Sequence, residues 1–309
     1  MKKKMAVIGL GNICKKAYMP VLAAHEDMAL MLYNRSPEPL AEMQSLYRID
    51  YGTSSLDKLI QDGPQGAFVL TSSDSHYEII KRLLENGVDV FVEKPATTQS
   101  GQTRELAEMA DNLGRILMVA FNRRYAPLHV QAKTLWGGIP VGMGIFRKFR
   151  SSPSYPDFRK HIYDDTIHQI DLLRFYCGDG TLLSAHHQVD GIRLISATGM
   201  IRLDSGGIAL VETNLEAGGW REFYSLYGGG QSIEIEAFSN LSIKKGAEKR
   251  QWKKTYASAW KTTLSGRGFE GQISHFLTCM ETRQQPQTNA WDSVKTQVLT
   301  EQFISKLES

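Results

Sequence analysis

Short apolar runs recur from Met5 to Phe121, and helical stretches fill the intervals. The runs are Met5–Leu10, Ala29–Tyr33, Ala67–Thr71, Val88–Val92 and Ile116–Phe121. Between them, His76–Asn86 and Thr103–Leu113 carry apolar residues at helical spacing, and Gly87 stands where a helix C-terminal cap belongs. Strand alternating with helix predicts a doubly wound parallel sheet, an α/β fold. Pro20 predicts a bend or break in the first helix, because it lacks a backbone donor.

The texture changes after FNRRYAP. From Val141 to Lys245 strand-like runs dominate, with hairpins predicted around Ser205-Gly206-Gly207 and Gly228–Gly230. One helical segment, Asp164–Tyr176, interrupts them. Two helices close the chain: Phe269, Ile273, Phe276, Leu277 and Met280 share one apolar face, and a second helix starts near Trp291. The pattern predicts two domains, 1–123 and 124–309, in accord with roughly 150 residues per domain.

Composition narrows the partners. A net charge of +3 over 309 residues, with 42% hydrophobic and 22% charged residues, suits a soluble globular protein and gives no reason to expect nucleic acid or an anionic membrane. No window approaches the ~20 apolar residues of a membrane span, and the run Met5–Leu10 is shorter than a secretory apolar core. Cys14, Cys177 and Cys279 are scattered and form no Cys-x-x-Cys, so neither a disulfide framework nor a zinc site is expected. His186 and His187 near Asp190 lack a third ligand. A reducing, cytoplasmic setting with no metal is the expectation.

The candidate chemistry begins at Gly9-Leu10-Gly11-Asn12-Ile13, directly after the first run. In a strand-to-helix turn the first glycine permits the sharp turn, and the second lets a pyrophosphate approach the backbone and helix N-terminus. Small Cys14 replaces the third glycine of the usual fingerprint. The second run ends in Tyr33-Asn34-Arg35-Ser36, without the carboxylate that would bond an NAD ribose. Arg35 and Ser36 could instead hold a 2′-phosphate, so NADP(H) is favoured over NAD(H).

Glu93-Lys94-Pro95 follows the fourth run, where open parallel sheets bind ligands; an ammonium there can polarise a hydroxyl or carbonyl. In DDTIHQIDLLRF, Asp164, His168 and Asp171 fall within about 60° of arc on an ideal helix. The other faces are largely apolar, so this stripe faces either a cleft or an internal network.

The combination GLGNI, TSSDSHYEII, FVEKPAT, FNRRYAP and DDTIHQIDLLRF resembles the glucose–fructose oxidoreductase and inositol dehydrogenase (Gfo/Idh/MocA) family, particularly its MviM-like branch. The likeness runs end to end. It implies an N-terminal Rossmann domain and a C-terminal α/β domain on an open, largely antiparallel sheet. It also implies NAD(P)-dependent oxidation or reduction of a sugar, cyclitol or related polyol. By that resemblance Lys94, Asp164 and His168 are catalytic and contact substrate, and Asp171 is a further substrate contact. Gly9, Gly11, Asn12, Ile13, Asn34, Arg35, Ser36, Ser72, Ser73, His76, Glu93, Lys94 and Asn122 surround the cofactor. The loop after the third run departs from the family in lacking its common proline. A homo-oligomer, dimer or tetramer, is expected. The alternative function is a non-catalytic, NAD(P)-sensing regulator on the same scaffold, which would need none of the catalytic three.

Overall fold

Residues 2–151, 155, 157–253 and 262–308 are described in a computed structural model of the chain. Its packing divides into two units. The first comprises Met1–Phe121 with Phe269–Val294; the second comprises Asn122–Gly268 with Lys295–Ser309.

The first unit is built on six strands: β1 (Lys3–Ile8), β2 (Met28–Tyr33), β3 (Gly52–Thr53), β4 (Gly66–Val69), β5 (Asp89–Glu93) and β6 (Leu117–Ala120). All are parallel, in the order β3-β2-β1-β4-β5-β6. That order reverses direction between β1 and β4, the switch point at which doubly wound sheets bind ligands. Met5 to Ile8 are fully buried, as a central strand covered on both faces requires. The sequence pattern missed only β3, whose two residues are too few to show a period.

Pro20 does not break the first helix. Cys14–Tyr18 widen into a π-helical turn, with the Met19 amide reaching back to the Cys14 carbonyl, and α-helix resumes over Met19–Leu22. The wider turn accommodates a residue that has no N–H to donate.

The division of the chain differs from a single cut near residue 123. The helix Phe269–Thr282 returns to the first unit, where Phe276 packs on Phe68 and Phe91 at ring separations of 5.5 and 5.6 Å. Phe269 meets Tyr18 edge-on at 5.6 Å, and Arg283 forks onto buried Asp89 at 2.5 and 3.0 Å. The apolar face recognised in that helix was correct; its partner, distant in sequence, could not be read from periodicity.

Among the described residues the second unit carries eight strands: β7 (Met143–Ser151), β8 (Gly180–Asp190), β9 (Arg193–Leu203), β10 (Ile208–Asn214), β11 (Glu216–Gly228), β12 (Gln231–Glu236), β13 (Asn240–Lys245) and β14 (Glu248–Lys253). Their order is β14-β13-β12-β11-β7-β10-β9-β8, antiparallel except for β7 with β10. Both predicted hairpins, β9–β10 and β11–β12, are present. The helices Pro127–Trp136 and Ile167–Cys177 supply core to one face, including Tyr176, which meets Phe146. Among the described residues no helix is long and apolar enough to cross a membrane.

Candidate active site

In the first unit the carboxyl ends of the strands line up. Ile8 pairs with Tyr33 and Val69, and Val69 with Val92. A cavity of about 400 Å³ opens beyond β1, β2 and β4, lined by Gly9, Gly11, Asn34, Arg35, Ser36 and Ser72 among others. Gly9 adopts φ +93°, and a Cβ there would lie 2.6 Å from Thr71 Cγ2 and 2.7 Å from Thr71 N. Its glycine identity is therefore a requirement of the fold. Gly11 is different: a Cβ there would meet nothing within 4 Å. Its bare backbone faces open space, which fits the close approach of a dinucleotide pyrophosphate. Cys14 is fully buried, in keeping with the small residue needed for close packing, and burial pushes its thiol up to about 12.

Asn34 braces the turn from the side. Its Oδ1 accepts from the Leu10 amide at 3.1 Å while its Nδ2 donates to the Ser36 carbonyl at 2.9 Å. Arg35 and Ser36 are exposed on the cavity rim. Ser36 precedes the helix Pro37–Tyr47 and makes no capping bond with its side chain. Pro37 and Pro39 supply no amide hydrogen at that helix start, so anion recognition there falls chiefly to side chains.

Other sequence candidates stand off the cavity lining. Asn12 and Ile13 open the helix after the turn, and Ser73 begins a 3₁₀ turn, Ser73–Ser75. His76 is buried, with Nδ1 3.0 Å from the Pro95 carbonyl and Nε2 3.0 Å from that of Thr71. Glu93 accepts from the Tyr18 hydroxyl and, at 3.1 Å, from the Lys94 amide. Sequence reasoning passed over Tyr33, Leu70, Thr71, Ser75 and Ile79, which line the cavity. Tyr33, Leu70 and Thr71 stand at the ends of β2 and β4, while Ser75 and Ile79 lie in the turn and helix that follow β4. Lys94 is half-buried immediately after β5, and its bond to Pro95 is cis.

In the second unit the expected single stripe is divided. Ile162–Thr166 form a π-helical turn before the α-helix Ile167–Cys177. Asp164 thus lies in a segment of different pitch from His168 and Asp171, and the ideal-helix angles do not apply across it. Asp171 faces an internal network: it is 1% exposed and accepts from Arg124 at 2.9 and 2.6 Å. His168 is buried and Asp164 half-buried. Asn122 is buried, its Nδ2 donating to the Arg267 carbonyl at 2.8 Å.

The helix is fixed from several directions. Gln169 Nε2 donates to the carbonyls of Phe146 and Glu212, each at 2.8 Å, across the parallel strands β7 and β10. Lys133 Nζ donates to the Phe175 carbonyl at 2.6 Å, placing a cation at the helix C-terminus. The π-turn is anchored through Asp165, which pairs with Lys148 at 2.6 Å and with Arg150. Lys148 also meets Glu222 at 3.2 Å, and Glu222 takes Arg123 at 2.7 Å. Burial would raise both acids, but Lys148 with Arg150 holds Asp165 below the usual carboxylate range, and Arg123 with Lys148 holds Glu222 well below it. His186 and His187 are exposed neighbours on β8, and among the described residues no metal-holding group of three His, Cys, Asp or Glu occurs.

Residues 3–121 match the model of an oxidoreductase family with an NAD-binding Rossmann fold, the Gfo/Idh/MocA family. A solved MviM dehydrogenase from Clostridium difficile superposes with a TM-score of 0.91 at 27% identity, covering 99% of this chain and 100% of that one. Residues 3–121 thus carry the NAD-binding domain of that family, and the chain as a whole is similar in fold to the MviM dehydrogenase. Two curated relatives are similar as well. The protein YceM of Salmonella typhimurium is 26% identical over 309 residues, 96% of each chain. The NAD⁺-dependent scyllo-inositol 2-dehydrogenase of Bacillus subtilis is 30% identical over 135 residues, 41% of this chain and 40% of its own. Residues 3–121 accordingly carry the NAD-binding Rossmann fold of an oxidoreductase family.

Proposed function

We propose that this protein transfers a hydride between NADP(H) and the CH–OH carbon of a sugar, cyclitol or related polyol. The observation that carries this reading is the place of Lys94. It follows β5 at the same carboxyl edge of the sheet where β1, β2 and β4 frame the glycine-turn cavity. Gly9, Gly11 and Ser72 would hold the dinucleotide backbone, and Arg35 with Ser36 its 2′-phosphate. A bound nicotinamide supplies the hydride acceptor or donor.

In the oxidative direction His168 accepts the hydroxyl proton, Lys94 stabilises the negative charge that develops on that oxygen, and Asp164 orients these partners. The roles follow from the groups themselves: an imidazole has a ring lone pair that can take a proton, whereas an ammonium has only donors and suits charge stabilisation. Asp171, already engaged by Arg124, contributes by holding its helix in place. The reading implies a small-molecule substrate and a homo-oligomer working in the cytoplasm.

The test is reduction of NADP⁺ and NAD⁺ against a panel of sugars, cyclitols and sugar acids, followed by absorbance of the reduced nicotinamide. Turnover with a polyol, lost in Lys94→Ala, is expected. Binding of dinucleotide without turnover of any panel member in either direction would count against it.

A further inference from the structure

The neighbours of Lys94 on both sides are gripped by buried side chains, and each grip leads back to the dinucleotide cavity. Glu93 accepts from the hydroxyl of Tyr18, which also receives Gln272 Nε2 at 3.1 Å. The second Glu93 oxygen takes the Lys94 amide at 3.1 Å, so the carboxylate closes the turn on itself. Tyr18 is 0% exposed and lies in the π-helical turn that follows the glycine turn. On the other side, His76 is 1% exposed and its ring lies between the Pro95 and Thr71 carbonyls, with Nδ1 and Nε2 each 3.0 Å from one of them. Thr71 lines the cavity, and its hydroxyl accepts from Ser75 Oγ at 2.8 Å.

These contacts have directional chemistry. Burial and the adjacent Glu93 push the Tyr18 phenol well above its ordinary range, so it persists as a neutral donor to the carboxylate. Burial holds the His76 imidazole below its ordinary range, so it is neutral and its single N–H donates to one of the two carbonyls. Held against both, the ring packs the loop after β4 onto the Lys94 turn.

We infer that Tyr18 and His76 are positioning residues that tie the Lys94 turn to the two loops framing the dinucleotide cavity, so that cofactor binding and the placement of the Lys94 ammonium are coupled. This rests on the dinucleotide reading above. Neither residue touches the reacting atoms. Tyr18 acts through Glu93 on the Lys94 amide, and His76 acts through Pro95. Local hydrogen bonds of this kind set a side chain's position more finely than the strand end alone can.

The experiment uses full-length protein labelled with ¹³C at lysine Cε, with the Lys94 signal assigned by its loss in Lys94→Arg. The probe is ADP, which carries the pyrophosphate but no nicotinamide, so that direct contact of a nicotinamide with Lys94 is removed. ADP is expected to move the Lys94 signal in the native protein. In Tyr18→Phe, which keeps the buried ring, ADP affinity stays within about twofold while the shift at Lys94 falls by at least half. His76→Asn lowers the Lys94 shift as well, read at saturating ADP. An equal Lys94 shift in native protein and both variants, or ADP binding with no shift in native protein, overturns the inference and leaves dinucleotide binding intact. Failure of native protein to bind either ADP or NADPH removes the dinucleotide reading and the inference with it.

Discussion

Both oxygens of Asp171 accept from the Arg124 guanidinium, at 2.6 and 2.9 Å, and the two side chains are only 1% and 5% exposed. Removing one partner strands a charge away from water. Arg124→Leu should therefore destabilise the protein by about 3–5 kcal/mol in denaturant unfolding. Arg124→Lys should fall between, because an ammonium cannot reproduce the two-pronged fork. An Arg124→Leu midpoint equal to that of native protein would show that the pair does not hold this helix.

Stability should decline on the acid side of neutrality. Burial pushes His129 down to about 3 and His161 down to about 4. In the unfolded chain both titrate near about 6.5, so the unfolded state binds protons first as pH falls. Their contribution is complete above that value and is lost progressively as pH drops from about 6.5 towards about 4 for His161 and about 3 for His129. Each histidine moves stability by up to about 1.4 kcal/mol per pH unit within its window. The depressed acids Asp165 and Glu222 add a further loss once pH enters the carboxylate range. Thermal melts across pH should show a shallower decline from 6.5 to 4 in His161→Phe; an unchanged slope would exclude His161 as a source.

NADPH should bind more tightly than NADH, and Arg35→Ala should reduce that preference. Losing one charge-assisted contact to the 2′-phosphate should cost about 1.5–3 kcal/mol of NADPH affinity, with little effect on NADH. Fluorescence titration of both dinucleotides checks it. Stronger binding of NADH to the native protein would defeat the assignment.

Gly11→Val should abolish dinucleotide binding without unfolding the protein. A Cβ there meets nothing within 4 Å but projects from a backbone that lines the cavity. Gly9→Val should instead impair folding, since it adds a Cβ 2.7 Å from Thr71 N at φ +93°. Normal binding by the Gly11 variant would make that turn purely structural.

With an oxidised polyol in hand, His168→Asn and Lys94→Ala should each lower turnover far more than cofactor affinity. General acid–base assistance is typically worth about 10²–10⁴-fold. Oxidation rate in the native enzyme should fall at low pH as the base becomes protonated, and that limb should vanish in His168→Asn. Persistence of the limb would move the proton to another group, with Lys94 the next candidate.

Local pattern sufficed for much of this molecule. The five longer strands of the first sheet, the two hairpins and the closing helices follow from apolar period and turn residues, because each is decided within a few neighbours. The turn at Gly9 and Gly11 and the lysine after β5 were likewise legible, since strand order places such positions at a ligand-binding edge. Packing between distant segments decided the rest. Nothing local says that Phe276 seeks Phe68, or that Arg283 seeks Asp89, so the return of Phe269–Val294 to the first unit emerged only in three dimensions. The π-turn at Ile162–Thr166 overrode the angular logic of an ideal helix, and Arg124 claimed Asp171. His76 lies against the Pro95 and Thr71 carbonyls, and Glu93 accepts from Tyr18 and the Lys94 amide, partners that no local pattern names. A buried polar group must find a partner wherever the folded chain provides one, and which partner arrives is a property of the tertiary structure.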